Sequence, residues 1–414
     1  MNYLAKRLEA SKEHQDAVWD QGVNELDVVG VNGKRLTLAD GRELTEFMSC
    51  SYLGLDQRPE LRDAAHLAID SLGVQMSAAR TRMRAAPFRE LDELLTEIND
   101  GWESVTFNSV SAAHMATIPI LAAGELPGYP IAPGGPAFVI DRSAHASIQS
   151  LRGIMKQFGN TVRVDFQNME EVTETCHSLS DSGQTVIALC DSVGSMGGSV
   201  DVGALTTAID ELGGITYLDD AHGTSIFGHT GEGFVLASTE GRLPSRTIWT
   251  GSLSKAFGAT GGFVALSNTE ATSFIKRYSM PYAFGGPPSL PAIGAAVASA
   301  HLHLDGTVQA LQDQLHQNAA LLDDLLTSPS VNTGSASPIR GVMIGDEFAA
   351  IDASKTLHEH GYAVTAAMYP TVKMGQAILR LAVSASHSDE DIRGITEVLN
   401  TITGRQDGNI NSES

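Results

Sequence analysis

The chain has 414 residues, 49 of them acidic and 27 basic, for a formal net charge of −22. That surplus leaves no basic stripe to neutralise phosphates, which argues against nucleic acid and anionic membrane surfaces while saying little about a small substrate. Ordinary globular composition and three scattered cysteines (Cys50, Cys176 and Cys190, with no paired spacing) argue against disorder, a disulfide framework or a zinc site, and make a reducing cytoplasm the expectation.

The first 20 residues are charged and hold no apolar core of signal-peptide length, and no run approaches the ~18 apolar residues of a membrane span. Residues 4–19 read as a charged helix. Asn32-Gly33 and Asp40-Gly41 lie between alternating apolar runs, the signature of two tight hairpins and a small antiparallel meander. From about Ser51 short apolar runs alternate with helical stretches. The runs are Val105-Thr106-Phe107, Ala137-Phe138-Val139-Ile140, Val186-Ile187-Ala188-Leu189, Ile215-Thr216-Tyr217-Leu218, Thr247-Ile248-Trp249 and Phe263-Val264-Ala265-Leu266. This rhythm predicts an α/β domain with a mostly parallel sheet buried on both faces. Helical spacing continues over 290–327, a smaller α+β segment over 337–403, and a polar tail over 404–414. The expected domains are 1–50, 51–288, 289–403 and a frayed 404–414.

Open α/β sheets place their sites at the carboxyl ends of strands. Asn108-Ser109, Asp141-Arg142-Ser143, Asp191-Ser192, Asp219-Asp220 and Gly251-Ser252 follow the apolar runs and are the residues to inspect. Lys255 stands among small hydroxyl residues and glycines, with no other charged residue between Arg246 and Glu270. A lysine in a poorly hydrated setting loses its proton more readily and can form a Schiff base with an aldehyde cofactor; the alternative is a loop lysine beside a glycine turn. Asp219-Asp220-Ala221-His222 admits three readings. A metal site lacks an obvious third ligand group, a strand-end aspartate can cap the next helix, and a buried aspartate can hold a protonated pyridine nitrogen.

The motifs resemble those of the α-oxoamine synthase family of fold-type I pyridoxal-phosphate enzymes, in register over most of the chain. Ser51-Tyr52-Leu53-Gly54-Leu55 is similar to NYLGL, and 141–148 to D-x-x-x-H-A-S-I. Ser195-Met196-Gly197-Gly198 is similar to S-M-[DG]-G, and 219–222 to D-E-A-H with Asp220 for Glu. Residues 251–258 are similar to G-[TS]-[FL]-S-K-A-F-G. Leu379-Arg380-Leu381 with Ser384-Ala385-Ser386-His387 is similar to L-R-[LV] and S-A-x-H. The resemblance implies an aspartate-aminotransferase-like fold of type I, with a large domain around a mostly parallel seven-stranded sheet and a smaller α+β C-terminal domain.

It also implies roles. Lys255 carries pyridoxal 5′-phosphate and moves the Cα proton. Asp219 keeps the pyridine nitrogen protonated, His222 and Ser195 bond the ring oxygen, and His145 stacks on the ring. Ser252, Ser254 and the backbone N–H groups of Val110 and Ser111 bind the phosphate. Arg380 pairs with the amino acid's carboxylate, with Ser51 beside the substrate. Gly285 and Gly286 stand where relatives approach the phosphate across a dimer interface, so a homodimer is expected. The implied reaction is the decarboxylative condensation of an amino acid with an acyl thioester, CoA-bound or carrier-bound, to an α-aminoketone.

Two departures keep a second reading open. The phosphate turn S-G-[FYW]-x-A-N is replaced by Ser109-Val110-Ser111-Ala112-Ala113-His114. The segment around Met76-Ser77-Ala78 brings Arg80, Arg82, Arg84 and Arg89 together as either an anion clamp or a solvated face. It resembles the α-hydroxyketone autoinducer synthases, whose likeness implies S-adenosylmethionine as the amino substrate through β,γ-elimination or C–C bond formation. An insertion at 124–136 is expected near the mouth of the site. Retention of Lys255, Asp219, His222 and His145 together speaks against a catalytically silent binding protein.

Overall fold

A computed structural model describes residues 3–328 and 330–410. In chain order the strands are β1 (Val28–Asn32), β2 (Arg35–Leu38), β3 (Glu43–Glu46), β4 (Glu103–Phe107), β5 (Pro136–Asp141), β6 (Asn160–Val164) and β7 (Thr185–Asp191). They continue with β8 (Ile215–Asp219), β9 (Thr247–Ser252), β10 (Gly262–Leu266), β11 (Ile339–Gly345), β12 (Tyr362–Ala363), β13 (Thr365–Ala367) and β14 (Ala377–Ala382). The chain divides into two compact units, one of Leu55–Gln312 and one of Met1–Gly54 with Asp313–Ser414.

The larger unit is built on a seven-stranded sheet of order β4-β10-β9-β8-β7-β5-β6. β10 runs antiparallel to both its neighbours, and the other pairings are parallel. The apolar runs split by parity. Val186, Ala188 and Cys190 enter one core with Leu218, Trp249 and Phe263. Ile187 and Leu189 enter another with Tyr217, Ile248 and Val264. Strand side chains alternate between faces, so a continuous apolar run builds two cores at once, one under each helical layer.

The smaller unit holds the N-terminal helix Tyr3–Asp20, the expected meander, and a three-stranded sheet of order β11-β14-β13. The meander gains β12, which pairs in parallel with β3 and makes a four-stranded sheet. Arg340 on β11 is buried and meets Asp323 through Nε at 2.7 Å and Nη2 at 2.8 Å, a two-pronged pair matched to carboxylate geometry.

The expected boundary at 288 does not coincide with this division. The helical stretch 290–327 is two helices, Leu290–Leu304 and Thr307–Leu325, separated at Gly306 with φ +87°. The first belongs to the larger unit, where Ser299 Oγ donates to Phe257 O at 2.6 Å and His303 stacks on Phe257 at 4.5 Å. Gly294 is needed there, because a Cβ would lie 2.6 Å from Ala64 O. The tail expected to fray from 404 is shorter, since the last helix extends over Asp389–Ile410; residues 411–414 lie outside the described residues.

One close approach sets the site. β10 begins at Gly262, where an added Cβ would stand 2.5 Å from Val110 N. Gly262→Ala is therefore expected to push the start of the helix Val110–Ala122 off β10 and to destabilise the protein by about 1–3 kcal/mol, read as a lower urea midpoint.

Candidate active site

At the carboxyl ends of β7, β8 and β9 a cavity of about 170 Å³ opens in the larger unit. It is lined by Ser109, Val110, Ser111, His145, Asp191, Val193, Asp219, Ala221, His222, Ser252, Ser254, Lys255 and Gly261. Eight of the expected residues thus come together: Lys255, Asp219, His222, His145, Ser252, Ser254, Val110 and Ser111.

Each is held by local structure. Lys255 rides on the connection 253–261 between β9 and β10, which is tied across its base by Leu253 N to Gly261 O at 3.0 Å and Ala259 N to Leu253 O at 2.8 Å. Leu253, Ala256 and Phe257 are buried on either side, so the half-buried lysine is pinned by its neighbours. Ser254 Oγ donates to Gly261 O at 3.1 Å and accepts from Gly261 N at 2.9 Å. That hydroxyl fastens the loop, whereas Ser252 Oγ accepts from Ser254 N at 3.1 Å and keeps its own hydrogen to give.

At one end of the cavity the helix Val110–Ala122 begins. Ser109 caps it, its Oγ accepting from Ala112 N at 3.1 Å. The N–H groups of Val110 and Ser111 have no acceptor within the helix, and with the helix dipole they form an anion-binding end.

At the other end stands Asp219, 4% exposed. Its Oδ1 accepts from Ala221 N at 3.0 Å and its Oδ2 from His114 Nε2 at 3.0 Å. Burial pushes this carboxyl up, but the hydrogen bond and charge of His114, the charge of Lys255 and the Ala221 N–H outweigh it and hold Asp219 well below the usual carboxylate range. Its neighbours go the other way. Burial first, then the charge of Asp219, push Asp191 well above the usual range, although its Oδ1 accepts from His145 N at 3.0 Å. Asp220 is pushed up to about 8 by burial, against the hydrogen bond that Ser192 Oγ donates to it.

His145 caps the short helix Ala146–Ser150. Its Nδ1 accepts from Ser147 Oγ at 2.7 Å and from Ser147 N at 3.3 Å, which places the proton of the neutral ring on Nε2. Burial, above all, lowers its basicity, with the charge of Asp219 opposing.

Several expected site residues lie elsewhere. Arg80 is no anion clamp. It is buried, gives Nη1 to Thr106 O and Nη2 to Thr106 Oγ1, and lies over the rings of Phe88 at 4.9 Å and Tyr282 at 4.1 Å. A guanidinium with an apolar stem is well suited to brace β4 in this way. Arg82 and Arg84 are exposed, and Arg89 is exposed beside Glu93. The insertion 124–136 is not at the mouth. Ala132 N donates to Thr185 Oγ1 and Tyr129 OH to Thr247 O, so it packs at the starts of β7 and β9, the opposite edge of the sheet. Within the chain Gly285 and Gly286 present their carbonyls to the Asn108 amide at 3.3 Å each, while the approach expected of them is to the phosphate of a partner subunit; Ser195 does not line the cavity. In the smaller unit Arg380 on β14 reaches Cys50 Sγ at 3.6 Å and Tyr52 OH at 3.5 Å, and Ser51 O accepts from Ser384 Oγ. Two site residues escape the motif reading: Asp191, flagged only by its strand-end position, and His114.

The donor set fits pyridoxal phosphate: a primary amine, a buried carboxylate held ionised, imidazoles lining the cavity, and unpaired backbone N–H groups at a capped helix start. The family described as Aminotransferase class I and II matches residues 43–399. The 8-amino-7-oxononanoate synthase of Coprothermobacter proteolyticus (strain ATCC 35245 / DSM 5265 / OCM 4 / BT) is 31% identical over 379 residues, covering 91% of this chain and 92% of its own. Among solved structures, SPT (serine palmitoyltransferase) with its PLP internal aldimine superposes with a TM-score of 0.85 at 20% identity, over 99% of this chain and 100% of that one. The 8-amino-7-oxononanoate synthase of Francisella tularensis gives 0.69 at 19% identity, over 88% and 98%. The fold and the site define a fold-type I enzyme scaffold of the aspartate-aminotransferase kind. The chain belongs to the aminotransferase class I and II family and, within it, to the α-oxoamine synthases.

The raised Asp220 gives a pH test. Between its ordinary value of 3.8 and about 8, the folded state keeps a proton that the unfolded chain has released. Stability therefore falls with rising pH in that window, by about 1.4 kcal/mol per unit. Asp220→Asn removes the titration. Urea midpoints of the two proteins are expected to converge toward pH 4 and to separate toward pH 8, with the variant the more stable; a gap independent of pH contradicts the assignment.

Proposed function

We propose that this chain is a pyridoxal-phosphate-dependent acyltransferase that condenses an amino acid with an acyl thioester, with loss of CO₂, to give an α-aminoketone. The observation that carries the reading is one cavity lined by Lys255, by a buried Asp219 that accepts from His114 and Ala221, and by a helix start, in a chain 31% identical to an 8-amino-7-oxononanoate synthase. Bound pyridoxal phosphate supplies an electron sink for the pair left on Cα.

The chain's own groups do the rest. Val110 N–H, Ser111 N–H and the Ser252 hydroxyl take the phosphate. Asp219 keeps the proton on the ring nitrogen. Lys255 would hold the cofactor's aldehyde carbon and, when free, would take the Cα proton. His145 offers Nε2–H to the incoming carbonyl and a ring face to the cofactor. His222 and Ser195 are assigned the ring oxygen. Arg380, with Ser51 nearby, is assigned the amino acid's carboxylate. Exposed Tyr278, Met280 and Phe284 (78% exposed) leave apolar surface that suits a homodimer. No described helix is long and apolar enough to cross a membrane.

The test follows Cα–H exchange in deuterated water with glycine, alanine, serine and S-adenosylmethionine in turn. Exchange with a simple amino acid, lost in Lys255→Ala, is expected; exchange with S-adenosylmethionine alone contradicts the condensation and favours the elimination chemistry. Arg380→Lys keeps the charge but loses the forked geometry, and is expected to raise the amino acid concentration for half-maximal exchange about tenfold or more.

A further inference from the structure

His114 is fully buried on the helix Val110–Ala122 and bridges two residues of β8. Its Nε2 meets Asp219 Oδ2 at 3.0 Å and its Nδ1 meets Tyr217 OH at 3.1 Å. Tyr217 and Asp219 are two apart and so project on one face of the strand. The Asp219 carboxylate accepts, so Nε2 carries the hydrogen. A buried imidazole with both nitrogens engaged has one orientation, and it fixes the orientation of the carboxylate it touches.

The same helix supplies the other end of the cavity. Val110, whose N–H opens the anion-binding end, and His114 are four residues apart, one turn or about 6 Å along the axis. A single rigid element thus spaces the phosphate end from the aspartate end. Close association with β10 at Gly262 fixes where that element starts.

We propose that His114 is a positioning residue that keeps Asp219 ionised and aimed at the cofactor's ring nitrogen, and that Tyr217 in turn holds His114. This rests on the function proposed above and names a residue through which its electron sink is set. The other titratable groups that share charge interactions with this corner are Lys255, His145, Asp191, Asp220 and Cys190. Of the three aspartates only Asp219 hydrogen-bonds to His114; Asp191 accepts from His145 N and Asp220 from Ser192 Oγ.

Removing the imidazole leaves a buried carboxylate one donor short, and it answers by taking up a proton. With Asp219 neutral, a bound cofactor's ring nitrogen would lack an anionic partner and would release its proton, and the nitrogen joined to Lys255 would become more basic because a neutral pyridine withdraws less charge.

The experiment compares wild type, His114→Phe, His114→Asn and Tyr217→Phe. It measures the melting temperature of each apoprotein, its affinity for pyridoxal phosphate, and the pH midpoint of the visible absorption of the lysine-bound cofactor. For His114→Phe the expected result is a loss of affinity of about tenfold and a midpoint moved upward. His114→Asn, which keeps an N–H donor, is expected to recover most of the shift, and Tyr217→Phe to move the midpoint the same way by less. A folded His114→Phe protein with wild-type affinity and midpoint overturns the proposal. If that variant does not fold, a wild-type midpoint in Tyr217→Phe overturns it instead. A wild-type protein that binds no pyridoxal phosphate overturns the function proposed above, whereas binding by wild type beside unchanged variants overturns only the role of His114.

Discussion

The site depends on keeping one carboxylate charged where there is almost no water. Asp219 sits at the end of a central strand, nearly inaccessible, with two further aspartates close by. Three negative charges in that volume would repel one another strongly. The structure resolves this by dividing the protons. Asp219 receives the donors, from His114 and the Ala221 N–H, and stays ionised. Asp191 and Asp220 are pushed up by burial and hold their protons more tightly. Asp219 thereby keeps its charge close to Lys255, where a protonated ring nitrogen needs it.

The other requirements follow from that arrangement. The Lys255 loop must keep its place against β8, and Ser254, Gly261 and the helix Leu290–Leu304 fasten it. The helix Val110–Ala122 must begin close to β10, which only a residue without a side chain at 262 allows. Arg80 contributes by holding β4, the strand that leads into that helix, through both oxygens of Thr106. Its charge is spent on structure rather than on a substrate.

Much of this was legible in the sequence because buried parallel strands leave unbroken apolar runs and the site residues follow them directly. β6 escaped because Asn160, Thr161 and Arg163 interrupt its run on an edge strand that needs little apolar cover. The helix Leu290–Leu304 belongs to the larger unit, which its sequence does not show, because helical spacing tells which face is apolar, not which strands or helices will cover it. The places of Arg80 and the insertion 124–136 are hidden for a related reason. Arginine content and glycine-proline content describe a segment without saying which edge of the sheet it meets. His114 was visible only as a replaced asparagine, since nothing local reveals that a residue one turn into a helix will reach a strand more than a hundred positions later.

The central claim is that Lys255 is the amine that carries the cofactor in this cavity. The direct measurement is borohydride reduction of the protein loaded with pyridoxal phosphate, followed by proteolysis and mass spectrometry of the peptides. The account predicts a single phosphopyridoxyl group on Lys255. A group found mainly on another lysine, or on none, would contradict it.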